Sequence, residues 1–118
     1  MTRPATQQLA DLEQRYRELA TQLASIGLIR AGSLALRDNI CGKPNCRCHA
    51  NPPIPHGPYW QWTTKKNGKT INRRLTEAQA RLYEEWINNN KQLHAIIQQM
   101  RDIAATATEL HLNQTPQV

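Results

Sequence analysis

Three cysteines, Cys41, Cys46 and Cys48, stand within eight positions, and the imidazoles of His49 and His56 follow within the next eight. Sulfur and imidazole at this density form the donor set of a tetrahedral zinc site, and three thiolates need one further ligand to close it. His49 and His56 compete for that place. His49 directly follows a cysteine ligand, which makes coordination by both side chains awkward. His56, held among prolines with Gly57 after it, can approach from the far side of the loop. Gly42 and Pro44 suit a tight loop around an ion, while Lys43 and Arg47 offset thiolate charge. A catalytic zinc keeps an open position with an acid beside it, yet Asp38 is the one acid from Arg30 to Leu75, so the expected chemistry is structural Zn2+ held by Cys41, Cys46, Cys48 and His56. Paired carboxylates, an activated nucleophile and a phosphate-cradling glycine loop are not evident, which points away from an enzyme.

The second chemistry in this stretch is cationic. The chain has 118 residues with 15 Lys+Arg, 9 Asp+Glu and a net charge of +6. Nine of those cations lie between Arg30 and Leu75, so the basicity belongs to the middle of the chain, as expected of a segment that meets phosphate. Candidate nucleic-acid contacts are Lys43, Arg47, Gln61, Thr63, Lys65, Lys66, Lys69, Asn72, Arg73 and Arg74.

A β-hairpin must position most of these side chains. Tyr59 to Lys66 and Lys69 to Leu75 flank Asn67-Gly68, the pair preferred by a two-residue type I′ turn. The turn sets the register with Lys66 opposite Lys69, Thr64 opposite Ile71, Trp62 opposite Arg73 and Trp60 opposite Leu75. One face is then largely apolar, with a cation–π contact expected between Arg73 and Trp62. The other carries Tyr59, Gln61, Thr63, Lys65, Thr70, Asn72 and Arg74. A candidate third strand spans Ser33 to Ile40. The Pro-rich run Asn51 to Pro58 is expected to be neither helix nor central strand.

Helices flank this core. Leu9, Leu12, Tyr16, Leu19, Leu23 and Ile26 form a 3-4 stripe on a helix over 4–27, stopped by Gly27 in a left-handed cap with Leu28 folding back. Thr76 and Gln79 form a capping box at the start of a second helix over 76–110. Its seam reads Leu82, Trp86, Asn89, Leu93, Ile96, Met100, Ile103, Ala107 and Leu110, with a disordered tail over 111–118. No apolar run suits a membrane or a secretory segment, so a cytoplasmic location is the default.

The runs C-G-K-P-N-C-R-C-H, H-G-P-Y-W-Q-W and G-K-T-I-N-R-R-L-T resemble a family of small uncharacterised prokaryotic proteins, often encountered beside transposases and other mobile-element genes. The resemblance runs from about Leu19 to Lys91. It implies a zinc-binding sheet flanked by helices, in which the histidine before Gly-Pro-Tyr is the more regular one, favouring His56. Asn45 stands where glycine is more usual, a change that the tolerance of Asn for the left-handed region makes cheap. In layout alone the chain is similar to the three-stranded DNA-binding domains of tyrosine integrases.

The expected molecule is thus a single α+β domain: a long N-terminal helix, a small zinc-stabilised antiparallel sheet, and a long C-terminal helix with a coiled-coil-like seam. The expected work is non-catalytic binding of nucleic acid, double-stranded DNA in a mobile-element setting. The alternative is an assembly module whose seams meet a transposase or recombinase, or a second copy as a homodimer.

Overall fold

The computed structural model describes residues 4–39, 44–52 and 56–116, without the side chains of Asn39, Cys48 and His56. Chain order is α1 (Ala5–Ala24), β1 (Ser33–Asn39), a 3-10 turn (Arg47–His49), β2 (His56–Lys66), β3 (Lys69–Leu75) and α2 (Glu77–Gln114). The α+β class expected from the sequence is therefore present. These elements form two compact units, Met1–Leu28 with Asn89–Val118 and Ile29–Asn88. Each unit has buried apolar residues of its own.

The helical unit pairs α1 with the later part of α2. Leu9, Leu19, Ile96 and Ala107 are buried in it, as the 3-4 spacing requires of a packing stripe. The helices run antiparallel: Glu13 meets His111 at 3.2 Å near one end, and Asn89 donates its amide to the Leu28 carbonyl at 2.8 Å near the other.

The stop of α1 differs from expectation. Ser25 closes the helix, donating both its backbone N–H at 3.2 Å and its hydroxyl at 2.8 Å to the Gln22 carbonyl. Gly27 is not among the glycines at positive φ, and Leu28 is 74% exposed, so no left-handed stop forms there. Gly27 serves close approach instead: a Cβ at this position would lie 3.1 Å from the Asn89 amide nitrogen. At the other terminus α2 continues through Gln114, so residues 111–114 are helical rather than tail. Thr115 closes that last turn by donating to the carbonyls of Leu112 and His111.

The second unit is a three-stranded antiparallel sheet in the order β1-β2-β3 with the first part of α2 packed on it. The hairpin register is the expected one, from Lys66 opposite Lys69 to Trp60 opposite Leu75. Asn67 at φ 53° and Gly68 at φ 76° supply the two positive dihedrals that a type I′ turn needs. β1 adds on the other side of β2, with Ser33 opposite Thr63, Ala35 opposite Gln61 and Arg37 opposite Tyr59.

β2 begins at His56 and so takes Gly57 and Pro58 into the central strand, contrary to expectation. Two features accommodate the proline. The β1–β2 register shifts between Arg37 and Asn39, and the last β2–β3 pair is Trp60 with Leu75, so at Pro58 the strand has a neighbour on one side only.

Trp62, Leu75, Ala80, Tyr83 and Ile87 form the core of this unit, with Leu34, Trp60 and Trp86 packed against it. The helix thus buries Ala80, Tyr83 and Ile87 here, and leaves the seam residue Leu82 49% exposed. The capping box forms in both directions, Gln79 N–H to the Thr76 hydroxyl at 3.2 Å and Thr76 N–H to the Gln79 side chain at 2.9 Å.

Candidate nucleic-acid interface

Alternation along the strands sorts the sheet into two faces. The face carrying Leu34, Trp62 and Leu75 meets α2. The opposite face carries Ser33, Ala35 and Arg37 from β1, Tyr59, Gln61, Thr63 and Lys65 from β2, and Thr70, Asn72 and Arg74 from β3. It holds three cations, Arg37, Lys65 and Arg74, and no acid. The lone acid of β1, Asp38, lies at the register shift between Arg37 and Asn39.

Two contacts order this face. Thr63 donates its hydroxyl to the Asn72 side-chain oxygen at 2.9 Å across the strand pair, which leaves the Asn72 amide hydrogens to other partners. The Arg74 guanidinium carbon stands 3.9 Å from the Tyr59 ring centroid, so a flat cation lies along the ribbon with its donors at the edge.

Of the sequence-derived candidates, Gln61, Thr63, Lys65, Asn72 and Arg74 share this face. Lys66 and Lys69 do not; they flank the turn on the opposite side, directly across from one another. Like charges so paired disfavour the hairpin, a cost that a polyanion at the tip would relieve. Arg73 also belongs to the opposite face, where it donates to the Tyr83 hydroxyl at 3.0 Å. The cation over Trp62 is Arg30 at 4.4 Å, rather than the expected Arg73. Arg47 is exposed in the 3-10 turn. Lys43 lies outside the described residues.

Arg37 joins this face without having been picked out, because its place depends on a β1–β2 register that no short turn fixes, and Tyr59, which the hairpin already placed here, adds its ring contact with Arg74. Gly32 is a second omission. At φ +111° a Cβ there would lie 2.5 Å from the Trp62 indole nitrogen and 2.6 Å from the Thr63 carbonyl. That close approach accompanies the Trp62 N–H donation to the Ala31 carbonyl at 2.9 Å.

For the metal tetrad, Cys41 and the side chains of Cys48 and His56 lie outside the described residues, and Cys46 is half-buried at the start of the 3-10 turn. Backbone pairing bears on the choice of histidine. Asn39 is the strand partner of His56, and Cys41 follows Asn39 by two residues in the chain, so the histidine backbone stands where the cysteine loop departs. Among the described residues no three His, Cys, Asp or Glu side chains form a metal-holding group, a set that includes only Cys46 of the four proposed ligands.

Residues 9–84 match the family described as Domain of unknown function (DUF6788). The chain belongs to this family. The DUF6788 match takes in most of α1, all three strands, the Cys/His segment and the capping box of α2. No curated protein and no solved structure matches the DUF6788 chain. No helix among its described residues is long and apolar enough to cross a membrane.

Proposed function

We propose that this DUF6788 protein binds double-stranded DNA through the polar face of its sheet, as a non-catalytic accessory or regulatory factor. The observation that carries the reading is a face with three cations, three amide- or hydroxyl-bearing side chains at its centre (Gln61, Thr63 and Asn72) and no acid. An antiparallel ribbon fits the major groove, where arginine suits guanine and Asn or Gln suits adenine. Charge distribution supports this. The sheet unit has ten Lys+Arg and four Asp+Glu, whereas the helical unit has five of each, so the whole net charge of +6 belongs to the sheet unit.

In this reading Arg37, Arg74, Gln61 and Asn72 meet base edges, and Lys65, Lys66, Lys69 and Arg47 meet phosphates. Structural Zn2+ held by Cys41, Cys46, Cys48 and His56 fits the chemistry of the donor set and the Asn39–His56 pairing. Bound there, the ion supplies no reaction and closes the loop that joins β1 to β2. The mobile-element setting that the family resemblance implies would make a transposase or recombinase the natural partner. Fluorescence anisotropy with a labelled duplex at rising salt tests the reading: affinity should fall steeply with salt, and the absence of duplex binding at low salt removes it.

A second reading, an assembly module, draws on the helical unit. Tyr16 on its stripe is 39% exposed and lines an open groove of about 370 Å³ with Leu12, Ile103, Ala104 and Ala107. A monomer by light scattering that binds DNA favours the first reading, and an oligomer that does not bind favours the second.

A further inference from the structure

On the helix-covered side of the sheet unit, Arg30 and Arg73 line an open groove of about 380 Å³ together with Gln79, Leu82, Tyr83 and Trp86. The two guanidinium groups converge on one tyrosine. Arg30 lies 5.0 Å from the Tyr83 ring and 4.4 Å from Trp62, and Arg73 donates to the Tyr83 hydroxyl at 3.0 Å. The Arg30 Nε is buried and has no hydrogen-bond partner. Among the described residues neither arginine has a carboxylate partner, and no acid lines the groove.

Stacking on two rings holds the Arg30 guanidinium without consuming its donors, and Arg73 spends one N–H on the Tyr83 hydroxyl and keeps the rest for a planar oxyanion. Beside that cationic end, Leu82 at 49% exposure and the half-buried Trp86 offer apolar surface. A phosphodiester chain uses the first feature and leaves the second idle. A carboxylate with an aliphatic neighbour uses both.

We propose that this groove binds a short acidic, aliphatic peptide segment of a partner protein, one carboxylate on Arg30 and Arg73 and one aliphatic side chain on Leu82 and Trp86. The site is separate from the polar sheet face and does not depend on the DNA-binding reading.

The test is fluorescence anisotropy of the full chain with a labelled hexapeptide pool that alternates Asp or Glu with Leu, Ile or Val, against a pool with Asn and Gln in the acid positions. The acidic pool should bind and the amide pool should not. Leu82→Glu, at an exposed position, should weaken the acidic pool about tenfold or more while leaving the melting temperature and duplex affinity in place, and Arg73→Gln should weaken it similarly. Equal binding of the two pools, binding of neither, or full affinity in Leu82→Glu overturns the proposal. Displacement of the peptides by inorganic phosphate or by a duplex would also overturn it, assigning the groove to a phosphate backbone.

Discussion

Arg30 holds its guanidinium carbon 4.4 Å from the ring centroid of Trp62, the buried tryptophan at the middle of the central strand. The residue leads into β1 and donates its backbone N–H to the Trp86 carbonyl at 3.1 Å, so one arginine ties the entry of the sheet to both β2 and α2. Arg30→Met keeps the aliphatic stem and removes two cation–π contacts, each worth about 0.5–2 kcal/mol. Urea unfolding followed by tryptophan emission should show a loss of about 1–3 kcal/mol, and an unchanged midpoint would contradict the account.

Gly32 and Gly68 both sit at positive φ, yet only Gly32 is crowded. Gly68→Ala meets nothing within 4 Å and should cost about 1–2 kcal/mol for the left-handed backbone alone. Gly32→Ala must also displace the Trp62 indole and the Thr63 backbone, so it should cost clearly more. Thermal melts of the two variants side by side check the order.

The contrast shows what could be read in advance. Asn67-Gly68 announces a turn whose geometry sets every pair of the hairpin, and Thr76 with Gln79 announces a helix start, so both stood out in the sequence. Gly32 and Arg30 carry no signal of their roles in the sequence, since neither a close approach nor a ring contact leaves a local pattern. The α2 seam was legible from Asn89 onwards, where its partner is another helix. Before that the partner is a sheet presenting Trp62 and Leu75, and the buried set becomes Ala80, Tyr83 and Ile87. Gln61, Thr63, Asn72 and Arg74 were legible as one face, whereas Arg37 needed β1, whose register follows from packing of Leu34 beside Trp60 and Trp62.

Asn89 is the polar member of an apolar seam, and its amide satisfies the Leu28 carbonyl. Asn89→Leu should destabilise the helical unit by about 0.5–1.5 kcal/mol through the lost hydrogen bond, read as a lower melting temperature by circular dichroism. A more stable variant would mean that the bond contributes nothing.

Structural zinc should be recovered with the purified protein at roughly one ion per chain, and it should contribute on the order of 10 kcal/mol of folding free energy. Metal analysis with melts before and after chelation measures both. Cys46→Ser and His56→Ala should each lower zinc content and melting temperature, whereas His49→Ala should leave zinc content near that of the unaltered chain. Zinc-free protein with an unchanged melt would remove the metal from the account.

The polar sheet face is tested most directly by reversing its charge. Arg37→Glu with Arg74→Glu, compared with Lys91→Glu and Arg101→Glu in the helical unit, should be titrated against one labelled duplex over a series of salt concentrations. The account predicts that the sheet pair lowers affinity by about tenfold or more at every salt concentration, while the helical pair changes little. Equal losses in the two pairs, or full affinity in the sheet pair with an unaltered melt, would contradict it.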